Sequence, residues 1–266
     1  MAACMVVTLS FATCSLMDAA TTIRHSLSRV VDLRAQAAAS RPLQTALQHI
    51  KQFQARRFAG TYQDLLRSPT FAAPTGFFLN ELYGVRDFSD RDAQFARIAS
   101  ALQTFFPKQV VATAVALAEL HALTEELDLE MAHQYLQLHA YASRSMLDGS
   151  VYLKCWKFVA NPALRLGQLQ SVLEIGRELD NLTRTKGLRM TLRMMRGPAR
   201  AAGLQALQSF LEVGFDTFAS MGGEGQQTKQ FLCTIHERET AWIEKLFNSP
   251  PSLCEAELEA CLARAL

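Results

Sequence analysis

From Asp18 to the C-terminus, large apolar side chains recur every three or four positions, and no stretch alternates apolar with polar residues between turn pairs. That spacing puts apolar side chains on one face of an α-helix, whereas a half-buried strand requires a period of two. Ile23, Leu27, Val30 and Arg34 mark a first helix that stops near Ser40-Arg41-Pro42. A second carries Leu47, Ile50, Phe58, Tyr62 and Leu65 as far as Ser68-Pro69, with Pro42 in the first turn, where no N–H is needed. Ser89 with Asp92 resembles a capping box, and Phe95, Ile98, Leu102 and Phe105 follow until Pro107 breaks the run. Further helices are predicted over 108–124, 127–141, 151–159, 162–182, 188–196, 198–220, 227–248 and 256–266. The expected fold is all-α, an antiparallel bundle of about nine to eleven helices joined by short Pro- or Gly-containing loops, with no sheet.

A chain of 266 residues, 49% hydrophobic and 20% charged, can bury a substantial core. Residues 17–248 are expected to form one helical domain and 249–266 a C-terminal helical tail. The opening MAACMVVTLSFATCSLM is apolar but lacks the basic n-region of a signal peptide and is too short to span a membrane. Met17 is an equally good start, which would make 1–16 an extension outside the native protein. Twenty-seven basic against 25 acidic residues give a net charge of +2, so a nucleic-acid or membrane partner would need a local patch. The six cysteines form no CxxC pair and read as reduced thiols of a cytoplasmic protein.

The densest apolar stretch is Pro74 to Gly84, PTGFFLNELYG. With Thr75 as cap and Gly84 as terminator it predicts a two-turn helix, Gly76 to Tyr83. Phe78, Leu79, Leu82 and Tyr83 share one arc, Asn80 and Glu81 lie opposite, and Phe77 falls between. A helix apolar nearly all round belongs in a core, so Phe77, Phe78, Leu82 and Tyr83 are read as a core plug in preference to a ligand box. A desolvated Glu81 would need Arg57, Arg86 or Arg91 as its cation.

FFLNELY (Phe77–Tyr83) resembles the signature of a bacterial family named for its FFLEELY motif. YGVRDFSDRD (Tyr83–Asp92), MRGPARAAGL (Met195–Leu204), FLEVGFDTFASMGG (Phe210–Gly223) and FLCTIHERE (Phe231–Glu239) resemble it too, so the likeness runs from about Gln44 to Asn248. Asn80 stands where the family has its first Glu, so the resemblance implies no paired carboxylates there. It carries no activity with it.

Chemistry therefore rests on the residues themselves. Glu130-Met131-Ala132-His133 is one Glu-x-x-His unit where a di-iron bundle needs two and two further Glu, and Cys233 with His236 is likewise half a metal site. His121, on an apolar helix face beside Leu117 and Ala118, could serve as a haem axial ligand but reads first as a core histidine. In HERE, His236 and Glu239 share a face and suggest an ion pair. There is no GxSxG, P-loop or HExxH, and no catalytic residue, cofactor or metal ligand is assigned.

The least ordinary feature is charge. Arg184, Lys186, Arg189, Arg193, Arg196 and Arg200 are six cations in seventeen residues without an acid. Arg189, Arg193 and Arg196 would form one stripe flanked by Leu188, Leu192 and Met195, with a bend at Gly197-Pro198 that puts Arg200 on the next helix. Two readings remain open: structural pairing, either inside the fold with the acidic segment Glu119 to Glu130 or as solvated charge pairs, or a surface for an anionic protein, nucleic acid or lipid. The sequence points to a helical binding or regulatory protein that uses this corner (184–200), able also to self-associate; a haem- or iron-binding redox protein is the alternative.

Overall fold

A computed structural model describes residues 19–82, 84, 86–139, 147–221 and 225–265, and every regular element among them is helical. In chain order these are α1 (Ala19–Ala38), α2 (Arg41–Thr61), α3 (Gln63–Leu66), α4 (Ala72–Phe77) with a π turn (Phe78–Leu82), α5 (Ser89–Phe105) and α6 (Lys108–His139). There follow α7 (Gly149–Val159), α8 (Pro162–Thr183), α9 (Leu188–Met194), α10 (Arg196–Ala201), α11 (Gln205–Ser220), α12 (Gln226–Asn248) and α13 (Pro251–Arg264). They pack as a helical bundle. Counting α4 with its π turn, eleven helices among the described residues reach seven residues or more, within the predicted range. The 1–16 extension, Tyr83 and the Leu82 side chain lie outside the described residues.

Several boundaries differ from expectation for local reasons. Residues 108–139 form one helix of 32 residues, because nothing around Thr124 breaks it and the Thr124 hydroxyl bonds back to Leu120 O at 2.9 Å. Ser89 is no cap: it lies inside α5, and its N–H and Oγ both donate to Asp87 Oδ1, at 2.9 and 2.5 Å. Thr75 likewise sits within α4 and bonds Phe71 O at 2.7 Å. The predicted 198–220 helix is divided at Gly203, whose φ of 65° is left-handed backbone that favours glycine. As expected, the basic stretch is divided between two helices, with Pro198 in the first turn of the second, α10, where no N–H is required; the break falls at Met195, just before Gly197-Pro198.

The long α6 is the central strut, packed against α1, α2, α5, α7 and α8. Its N-terminal half offers Ala114 and Ala118 to Ile23 and Leu27 of α1 and to Ala99 and Leu102 of α5, small residues that let the three helices approach closely. Its C-terminal half joins the larger core through Leu129, Met131 and Tyr135. Cys254, Leu258 and Cys261 of α13 are buried in that same core against α2 and α7. Phe77 and Phe78 are buried, as the plug reading requires; Phe78 meets Phe231 and Phe218 at ring separations of 5.6 and 6.3 Å, and Phe77 stacks on Phe210 at 5.7 Å. Among the described residues no helix is long and apolar enough to cross a membrane.

Candidate functional site

Helices α5, α6, α8, α9 and α11 enclose a cavity of about 280 Å³, close to the lower end of the small-molecule range of about 300–1,000 Å³. Its walls are almost wholly apolar, with Phe95, Leu117, Ile175, Leu207, Phe210 and Phe215 among them. Helix α9 roofs it. Gly187, at φ 84°, turns the chain out of α8 into α9, no residue of α9 is buried, and Met190 and Met194 are 63% and 71% exposed.

The roof carries the basic corner. Leu188, Leu192 and Met195 line the cavity, and Arg189, Arg193 and Arg196 each follow one of them, so the basic row lies about 100° round from the apolar row. The arginines are exposed and turn to α11. Arg189 Nη2 meets Asp216 Oδ1 at 2.8 Å, and Arg196 Nε donates to both Glu212 oxygens at 2.7 and 2.9 Å. Those bonds hold the Glu212 carboxyl down to about 2. Arg193 and Arg200 form no ion pair among the described residues. The acidic segment on α6 pairs elsewhere, which removes the expected internal neutralisation: Glu125 takes Lys51 at 2.8 Å and Arg34 at 3.4 Å, and Glu126 takes Arg29.

The other sequence candidates disperse. Glu81 is paired with Arg86 at 3.2 Å, and Arg91 Nη1 donates to its backbone carbonyl at 3.0 Å. His121 Nε2 is held by Asp92 Oδ2 at 2.9 Å, and Asp92 also takes Arg34 at 2.9 Å and Arg91 at 3.1 Å. Burial pushes the Asp92 carboxyl up, but the His121 bond and the two guanidiniums outweigh it and hold it at about 2. With its outer nitrogen engaged and only about 60 Å³ of space beside it, His121 is a network histidine, not a haem ligand. Glu130 and His133 are exposed, as are Cys233 and His236, and no group of three or more His, Cys, Asp or Glu among the described residues could hold a metal. Glu239 turns inward to Arg57 instead of to His236.

That pair opens onto a second space, a core chamber of about 80 Å³ between α2, α6, α7, α8 and α12. Arg57 clasps Glu239 through Nη1 and Nη2 at 3.2 and 2.9 Å, and Tyr62 Oη donates to the same carboxylate at 3.0 Å. Arg165 is buried, with its guanidinium 3.8 Å over the Trp156 ring and Nη1 on Gln168 at 3.2 Å. Asp128, fully buried, has its carboxyl pushed up to about 6 by burial. Phe78 and Val172 line both the chamber and the apolar cavity.

A family model matches residues 33–252, a range that contains all the residues lining both spaces. The chain belongs to that family, the Domain of unknown function DUF8198. No curated protein and no solved structure matches the chain. The DUF8198 segment thus holds the plug, the roof and the chamber in one helical unit. Arg57 was legible only as a possible partner of Glu81, and Asp128 only as one of several acids. Arg165, Tyr152 and Trp156 carried no signal, because isolated polar residues in amphipathic helices show no spacing that separates a chamber lining from a solvated face.

Proposed function

We propose that the protein binds a single-chain anionic amphiphile, its tail in the apolar cavity and its charged end on the arginine row of the roof. The observation that carries the reading is the one-residue offset between cavity-lining and basic positions along α9 and α10, which sets a cationic rim beside an apolar chamber. Each methylene moved from water into such a space is worth about 0.8 kcal/mol, roughly fourfold in affinity. The rim contributes selectivity for an anionic end through Arg193 and Arg200, and through Arg189 and Arg196 when Asp216 and Glu212 yield them. No catalytic role is assigned.

On this reading the protein is a cytoplasmic carrier or sensor; the described cysteines Cys155, Cys233, Cys254 and Cys261 are all free thiols, as that compartment favours. The likeness of Phe77–Tyr83 to the FFLEELY signature supports it by position, since Phe77 and Phe78 stand in the cavity wall. The haem alternative loses its support with the engagement of His121.

The test is displacement of a fluorescent anionic naphthalene sulfonate by saturated carboxylates of increasing length. Affinity should rise about fourfold per carbon to a limit, and Ala101→Leu, which fills part of the cavity from its α5 wall, should move that limit to shorter chains. Changing Arg189, Arg193 and Arg196 together to Gln should weaken dodecanoate and leave an alkanol of equal length unaffected. Binding indifferent to chain length would refute the proposal.

A further inference from the structure

The core chamber has a surplus of donors. Tyr152 Oη, Trp156 Nε1 and Arg57 Nε are buried without a hydrogen-bond partner, on three side chains that line the chamber and are each more than nine-tenths buried. A buried donor left unbonded costs about 1–3 kcal/mol, and three beside one space are hard to explain by packing alone. Burial pushes the Tyr152 hydroxyl up to about 12, so it stays a donor at any ordinary pH. An indole N–H and a guanidinium Nε–H can only donate. The acceptors nearby are already engaged: Glu239 by Arg57 and Tyr62, Gln168 Oε1 by Arg165, and Asp128 by Gln54 in the field of Lys51.

From this convergence we infer that the chamber is a binding site for a small oxyanion, separate from the apolar cavity, in which Arg57 Nε, Tyr152 Oη and Trp156 Nε1 donate to its oxygens. The bidentate clasp of Glu239 on Arg57 and the stacking of Arg165 on Trp156 fix both guanidiniums before the ligand arrives. Glu239 and Asp128 balance their charge, so the three orphaned donors provide the attraction, and oxyanion binding should strengthen as Asp128 takes a proton below about pH 6. About 80 Å³ suits a sulfate, a phosphate or a short carboxylate and excludes a nucleotide or an acyl chain. The half-buried Gln54, Thr124, Gln168 and Glu239 are the lining residues in contact with solvent and mark where the chamber opens.

The full-length protein is titrated with sulfate, inorganic phosphate and acetate against a chloride background, by calorimetry and by tryptophan fluorescence. One of the chain's two tryptophans stands in the chamber, so saturable binding should change its emission. Tyr152→Phe removes one orphaned donor while keeping the ring, and should bind the oxyanion about tenfold or more weakly while the ligand-free protein melts no lower than the parent. Trp156→Phe removes another, should weaken binding as much, and should melt lower because it also shrinks a buried ring under Arg165. Two independent variants keep the test alive if one of them fails to fold. Acetate binding in place of sulfate and phosphate would identify a carboxylate ligand, still within the proposal. Failure of all three anions to bind, or equal binding in both variants, would mean a chamber filled by water and would overturn it. Dodecanoate at saturation should leave sulfate binding intact; competition between them would merge the two sites and refute the separate one. Sulfate binding without any carboxylate chain-length effect would sustain this site while sinking the amphiphile reading.

Discussion

Asp92 and Asp128 face the same problem, a carboxylate out of water, and their neighbours solve it in opposite ways. Asp92 has Arg34, Arg91 and His121 around it, and its folded pKa of about 2 lies below the ordinary value. A depressed carboxylate stabilises the fold above the unfolded pKa, and that contribution disappears as pH falls from about 4 through 2. Asp92→Asn should destabilise the protein by about 3–5 kcal/mol at pH 7, because it leaves partly buried guanidiniums without their anion, and should flatten the acid limb of the stability profile. Asp128 titrates the other way. Its carboxyl is raised to about 6, so folding binds a proton between about pH 4 and 6 and stability declines as pH rises across that window. Urea melts from pH 4 to 8 should show that decline in the parent and lose it in Asp128→Asn; an unchanged slope would show that the group is not the one responsible. Neither behaviour was legible in the sequence. Ser89 and Asp92 have the spacing of a capping box, and only the placing of α1 and α6 beside α5 shows that Asp92 is an ion-pair hub. Phe78 was legible, since aromatic residues on an apolar helix are usually core, and Phe78→Ala should cost about 3–5 kcal/mol.

Among the elements, α9 stands apart because nothing on it is buried. Helix stability in a folded protein comes chiefly from packing an apolar face, and the apolar face of α9 looks into open space. Its amides should therefore exchange faster than those of α6 or α8, and bound dodecanoate should slow them; protection equal to that of α6 in the free protein would show that α9 is no movable roof. The triple change of Arg189, Arg193 and Arg196 to Gln should shift stability by no more than about 1 kcal/mol, since the arginines are exposed and their pairs with Asp216 and Glu212 are surface pairs. A loss of several kcal/mol would return them to the role of struts. At this scale the sequence was informative in an uneven way. Apolar period placed α1, α5, α8 and α12 nearly to the residue, whereas the 108–139 region was cut in two and 198–220 was joined. Both errors come from backbone conformation: a helix continues through Thr and Glu when packing supports it, and the left-handed Gly203 ends one without any change in periodicity.

For the whole molecule the apolar cavity stands out energetically. Left without an occupant, it keeps the apolar faces of α5, α6, α8, α9 and α11 from packing on one another and leaves them facing water, at a cost of about 25 cal/mol for each Å² of apolar surface. A bundle of this length had the means to narrow the space, since Ala101, exposed on its α5 wall, is a position where a larger residue would fill part of it. Gly214 lies close to Phe77, where an added Cβ would come within 3.0 Å of the ring, so that wall is already tight. Ala114 on α6 is packed into the close contact with α1 and α5, so Ala101 on α5 is the better site for substitution. If the cavity is open in the free protein, Ala101→Leu should raise the melting temperature, because Ala101 lines the space from an exposed position on α5 and the larger side chain adds apolar contact there. A ligand at a hundred times its dissociation constant stabilises by about 2.7 kcal/mol, so saturating dodecanoate should raise the parent's melting temperature by roughly 5–10 °C. The variant should gain less from dodecanoate and more from a shorter carboxylate. Both effects follow from one volume, so they stand or fall together: a variant that melts lower than the parent while dodecanoate still stabilises both equally would show that Ala101 packs against a filled wall and that the ligand binds elsewhere.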